Sequence, residues 1–161
     1  MLKRLILIVV ATVFFSLQFN VGDAAALEVD ENLRTVPLSA KGGTLVISNE
    51  VLSQGQRLFG QNCTKCHIQG KTKTNPNVGL SLEELNGAEP QRDNFEGLVD
   101  YIQNPTSYDG EEYLDLIHPN TGRSDIFPEL KNISAEDEEA LAGYMLIAPK
   151  LDSKWGGTIY N

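Results

Sequence analysis

An apolar run opens the chain, and amphipathic helical patterns fill most of the rest. Leu5 to Phe15 is almost unbroken in hydrophobicity; the basic pair Lys3–Arg4 precedes it and Ala24-Ala25-Ala26 follows it. A basic start, a short apolar core and a small-residue site predict an export signal over residues 1–26, cleaved after Ala26. The alternative is a retained anchor, but the core is short for a span and the alanine triplet argues against retention. The remaining residues, 27–161, number 135 and have the length of one domain.

Within that domain the first pattern is period two. Arg34 to Leu38 and Thr44 to Ile47 are short and β-branched, with Lys41-Gly42-Gly43 between them. They predict a small hairpin in an N-terminal extension, 27–48, with Pro37 at an edge position. A lone hairpin is marginal, so it should lie against a helical body.

The pattern then changes to helical spacing. Ser48 is the expected N-cap of a helix from Asn49 to Asn62 whose apolar face is Val51, Leu52, Leu58 and Phe59. Gly55, costly inside a helix, fits a close approach to a second helix, or else is merely tolerated. Gly70 to Gly79 is a polar loop. Ser81-Leu82-Glu83-Glu84 reads as a capping box, and Asp93-Asn94-Phe95-Glu96 repeats the signal ahead of Phe95, Leu98, Val99 and Ile102. Asn104-Pro105 ends that helix. Tyr108-Asp109-Gly110 is a turn, and Glu111 to Ile117 is expected to be another short helix. Ser134 caps the last helix, Ala135 to Ala148, with acidic residues in its first turn, Leu141, Met145 and Ala148 inward, and Pro149 as its stop. The helical core is thus 49–149. A tail, 150–161, is expected to be extended with Trp155 packed down. The fold class is mainly α.

Charge narrows the partners. Without Lys3, Arg4 and Asp23 the mature chain carries 11 basic and 21 acidic residues, a net charge of −10. That balance argues against nucleic acid and anionic lipid surfaces. It suits docking on a basic partner, or solubility alone. Lys71 and Lys73 form a local positive patch, either a contact to a cofactor or partner, or a solvated loop.

The chemistry is concentrated in Cys63-Thr64-Lys65-Cys66-His67, which holds both cysteines and one of the two histidines. C-x-x-C-H is the attachment pattern of c-type haem. Two cysteines three apart on a helical turn face one side and can form thioethers to the two vinyl groups of one haem; His67 then lies under the iron as proximal ligand. A dithiol redox pair belongs beside a βαβ pattern, which is missing. A lone disulfide leaves His67 unexplained. Zinc held by Cys63, Cys66, His67 and His118 has the wrong spacing, because Cys66 and His67 are neighbours.

The usual sixth ligands are methionine and histidine. The mature chain has one candidate of each, Met145 and His118. Met145 falls in the middle of the last helix, where methionine is ordinarily core. His118 lies in the irregular stretch before that helix, 51 residues after His67, with Pro119 stiffening the backbone. His118 is therefore the expected distal ligand, against the alternative of a surface histidine with an open or methionine-ligated iron. A second imidazole in place of methionine lowers the potential. With both axial positions filled, an enzyme role is not expected.

With these residues and their flanks in view, the chain resembles the cytochrome c-550 family, the extrinsic haem subunits of photosystem II. The resemblance spans the mature chain: G-K-T-K-T-N from Gly70, P-Q-R-D-N from Pro90, N-P-T-S-Y-D-G from Asn104, H-P-N at His118, D-I-F-P-E at Asp125, and A-P-K-L-D-S-K-W-G-G-T-I-Y from Ala148. A paralogous branch lacks the distal histidine that H-P-N supplies here. The resemblance implies a class I cytochrome c-like monohaem fold with one covalently bound haem c. It implies a place in the thylakoid lumen of a cyanobacterium or plastid, peripheral to the membrane through contacts with the photosystem II core and other extrinsic subunits. There it would stabilise the oxygen-evolving manganese–calcium cluster and its retention of calcium and chloride. The competing role is a soluble lumenal electron carrier, and a haem peroxidase is a more remote third.

Overall fold

The computed structural model describes residues 28–157. The expected export signal and its cleavage site lie outside the described residues, as do the last four residues of the tail. A short helix, α1 (Glu31–Arg34), leads into strand β1 (Thr35–Ser39), which pairs antiparallel with β2 (Gly42–Val46). Helix α2 (Asn49–Asn62) follows, then a second, tiny antiparallel pair, β3 (His67–Ile68) and β4 (Lys71–Thr72). Helices α3 (Leu82–Asn86) and α4 (Phe95–Gln103), two 3-10 turns (Thr121–Arg123 and Pro128–Leu130) and the long α5 (Ala135–Leu151) complete the chain. This is a mainly α-helical fold with two small antiparallel strand pairs.

The packing of α2 on α5 forms its centre. Leu52, Leu58 and Phe59 from α2 meet Leu141, Met145, Leu146 and Ile147 from α5, with Leu98 of α4 beside them. Gly55 is the point of closest approach. A β-carbon there would run into the Ala140 carbonyl and stand 2.7 Å from the Tyr144 Cβ. The glycine thus lets two backbones touch, as its position in an amphipathic helix predicts.

The hairpin lies on this body. Val36 and Ile47 are buried in the core, and Ile47 fills the space over Gly143. Lys150 Nζ donates to the Thr35 carbonyl at 2.7 Å, and the Arg34 guanidinium donates to the Val29 and Ile47 carbonyls. The end of α5 and the entry to α2 are thereby joined through the hairpin. Its turn sits at Ala40–Lys41, one position earlier than the glycines indicate; Gly42 and Gly43, both at positive φ, open β2.

Two expectations need correction. Glu111 to Ile117 is not a helix. Its backbone pairs with the preceding segment: a bridge joins Thr106 and Tyr113, Ser107 N donates to the Glu112 carbonyl, and Leu114 N to that of Pro105. A segment that short cannot nucleate a helix unaided, and Tyr113, Leu116 and Ile117 bury no common face. Nor does Pro149 end α5. Proline removes one donor, toward the Met145 carbonyl, but the helix continues to Leu151 and the Asp152 amide bonds the Ala148 carbonyl at 3.0 Å.

Residues 152–157 turn back over the loop before α3. Trp155 packs with Phe59 and Tyr144 at centroid separations of 5.2 and 5.6 Å, and its Nε1 donates to the Leu80 carbonyl. The Glu84 carboxylate gathers the same region: it accepts from the Gly79 and Ser81 amides, the Ser81 hydroxyl and the Gly157 amide. Burial alone would raise its pKa, but these donors hold it below the ordinary glutamate value.

Gly55→Ala should destabilise the protein by about 1–3 kcal/mol in denaturant unfolding, although alanine is the better helix former by roughly 1 kcal/mol; a gain in stability would show that the helices can separate freely. Glu84→Gln should lose about 1–2 kcal/mol at neutral pH. Because the folded pKa is depressed, that difference should hold above the ordinary value of 4.5 and shrink as pH falls below it. A difference independent of pH would mean that the carboxylate charge is not what binds these amides.

Candidate functional site

The C-terminal turn of α2 delivers the motif. Cys63 is the C-cap, and the chain stays coiled beyond it: the Cys66 and His67 amides both donate to the Cys63 carbonyl. Both cysteines are free; Cys63 is half-buried and Cys66 exposed. Burial, with Cys66 adding to it, pushes the Cys63 thiol up to about 11. A reactive dithiol pair has a depressed thiol pKa, so this site lacks the electrostatics of a redox disulfide. Among the described residues no group of three or more His, Cys, Asp and Glu side chains is arranged to hold a metal ion.

His67 begins β3, and the register of the small pair sets Thr72 opposite it. Gln69 and Gly70 make the turn, at φ of 51° and 74°, the left-handed pair of a type I′ hairpin. Thr72 Oγ1 lies 3.1 Å from His67 Nδ1. That contact fixes the ring and leaves Nε2 as its free nitrogen. Burial, then the nearby His118, lowers the His67 pKa to about 4. The imidazole is therefore neutral, with a lone pair to give to a metal.

His118 comes from the irregular segment between α4 and α5. Its amide donates to the Leu114 carbonyl at 2.8 Å, closing a turn just before it. Its own carbonyl accepts from Asn120 Nδ2 at 2.8 Å. Asn120 is fully buried: the same Nδ2 reaches the Asp115 carbonyl, and its Oδ1 accepts from the Arg123 amide to cap the first 3-10 turn. One side chain thus clamps both sides of the histidine. Burial chiefly lowers the His118 pKa, opposed by the Pro119 backbone and aided by the Arg92 charge. Its Nδ1 is buried without a hydrogen-bond partner.

The two imidazoles face each other with centroids 6.1 Å apart and planes at 52°. A metal-bound imidazole nitrogen sits about 2 Å from its metal and the ring centre about 1 Å further, so two rings on opposite sides of one ion stand about 6 Å apart. The fold therefore brings His67, which directly follows Cys66 in the motif, to a spacing from His118 that two imidazoles sharing one metal would need. Met145 lies in the buried core cluster. Lys73 donates to the Lys65 carbonyl at 2.8 Å, tying the polar loop to the motif.

Sequence reasoning missed Thr72, Asn120, Arg92 and Tyr101. The Gln69-Gly70 pair was a turn signal for the first, and the N-cap preference of asparagine for the second. The Tyr101 ring meets His118 edge-on at 5.3 Å, and Arg92 lies over Tyr101; no local pattern announces either contact.

Comparison with known proteins agrees with this geometry. The family model for the cytochrome c-550 domain matches residues 27–161. Photosystem II extrinsic protein V of Rippkaea orientalis is 54% identical over 159 residues, 99% of each chain. That of Synechocystis is 50% identical over the same shares, and that of Microcystis aeruginosa is 54% identical over 134 residues, 83% of this chain and 99% of its own. Among solved structures, a cytochrome c549 superposes with a TM-score of 0.77 at 47% identity, covering 80% of this chain and all of its own. The PsbV2 cytochrome of Thermosynechococcus elongatus gives 0.62 at 35% identity, covering 72% of this chain and 82% of its own. The chain belongs to the cytochrome c-550 family.

Proposed function

We propose that the mature protein is a low-potential, six-coordinate cytochrome carrying one covalently bound haem c, and that it is an extrinsic lumenal subunit of photosystem II. The observation that carries the haem assignment is the 6.1 Å separation of two half-buried imidazoles, one belonging to the C-x-x-C-H turn. Cys63 and Cys66 anchor the porphyrin through thioethers. His67 supplies the proximal and His118 the distal nitrogen. Haem, when bound, supplies an iron that takes up and releases one electron. The protein around it fixes both ligands, so no coordination position is left for substrate and the protein does not act as an enzyme. Two imidazoles without a methionine favour a low potential.

Assembly with photosystem II is supported by the relatives, which carry that role in their names at about half identity over their whole length. The role we assign is to stabilise the oxygen-evolving manganese–calcium cluster and its calcium and chloride, with the core and the other extrinsic subunits as partners. The acidic surface suits docking on basic protein faces. No described helix is long and apolar enough to cross a membrane, which accords with attachment through protein contacts. Export with cleavage after Ala26 accords with the family match, which begins at residue 27.

His118→Ala should keep its haem covalently attached but bind cyanide or carbon monoxide, which the parent protein resists; equal binding by both would remove His118 from the iron. Depleting the protein from photosystem II should weaken oxygen evolution most when calcium or chloride is scarce. Unimpaired oxygen evolution, with another lumenal electron chain slowed, would mark the protein as a soluble carrier instead.

A further inference from the structure

Arg92 is a buried cation without an anion. It is 6% exposed, and among the described residues no carboxylate forms an ion pair with it. One terminal nitrogen donates to the Thr106 carbonyl and hydroxyl at 3.1 and 3.0 Å and to the Ser107 carbonyl at 2.6 Å; its Nε has no partner. A charge with so little exposure and no described carboxylate beside it is weakly screened. Its guanidinium carbon lies 4.1 Å from the centroid of the Tyr101 ring. The same ring meets His118 in a T-shaped contact at 5.3 Å. Arg92 and His118 thus both contact Tyr101, and His118 is the ring we assign to the distal face of the haem.

We propose that Arg92 and Tyr101 are positioning residues for the distal ligand, and that the unpaired charge of Arg92 raises the potential of the haem. The inference rests on His118 being that ligand. The Tyr101 ring, with the cation over its face, packs against the His118 imidazole and helps fix its rotation. Reduction of the iron lowers the charge of the site by one. A buried cation nearby favours that change, so it offsets part of the lowering that two imidazoles impose. A purely structural role, stapling residue 92 to the 106–107 backbone, would give no such coupling.

The test compares holoprotein of the parent with Arg92→Gln, Arg92→Lys, Tyr101→Phe and Tyr101→Leu. Three quantities are read: midpoint potential, low-spin ferric electron paramagnetic resonance, and cyanide affinity. Arg92→Gln should lower the midpoint, and Arg92→Lys, which keeps the charge, should return it toward the parent value. Tyr101→Phe should keep the parent spectrum and affinity. Tyr101→Leu should shift the g-values and raise cyanide affinity by about tenfold or more, as loss of a ligand-orienting partner does. Should Arg92→Gln fail to fold, the Lys and Tyr101 variants carry the decision. Parent-like potential, spectrum and affinity in Tyr101→Leu and in the folded Arg92 variants, with only melting altered, overturns the inference alone. A parent spectrum without two imidazoles overturns the ligation reading and this inference with it.

Discussion

Two imidazoles distant in sequence must be held opposite each other, uncharged, and close enough for one nitrogen of each to reach the same metal ion. Everything near the site serves that constraint. Neutrality comes from burial, which depresses both histidine pKa values. A charged pair at a ring separation of 6.1 Å would repel in a low-dielectric site, so removal from water makes the approach possible before any cofactor contributes. Orientation comes from a separate device on each side. Thr72 is set opposite His67 by a two-residue hairpin, and Asn120 grips the backbone on either side of His118.

Those devices need a rigid frame, and the contact of α2 with α5 provides it. Gly55 lets the helices meet backbone to backbone, which fixes where α2 ends and therefore where the cysteines begin. The hairpin locks the far ends of the same two helices through Lys150 and Arg34. Trp155 and the Glu84 carboxylate then tie the C-terminal turn to the loop that leaves the motif. The N-terminal hairpin and C-terminal tail thus act first as braces on the haem-binding body, and can present an outer surface to a larger assembly because they are fixed to it.

Much of this was legible along the chain because local physics decides it. The span of α2, its Ser48 cap, the Ser81 capping box and the inward face of α5 follow from periodicity and hydrogen-bonding side chains. Where prediction failed, longer-range bonding won. Glu111 to Ile117 has helix-compatible residues, but its amides find partners in residues 105–107. Pro149 is a helix breaker by rule, yet at the last turn it removes one bond in a helix already anchored by packing. The histidine pair was legible through the motif and through elimination of Met145. Its supporting residues were not, because Arg92, Tyr101 and Asn120 converge on His118 from different segments, and only the folded chain shows which side chains meet.

The family places this architecture among cytochromes, and the proposed ligation by two imidazoles, in place of a methionine, would favour a low potential. The central claim is therefore the identity of the sixth ligand. The most direct measurement is the near-infrared and low-temperature magnetic resonance spectrum of the ferric holoprotein. The account predicts a low-spin iron with two imidazoles and no methionine-to-iron charge-transfer band. A clear band of that kind, or a high-spin iron open to solvent, would contradict it.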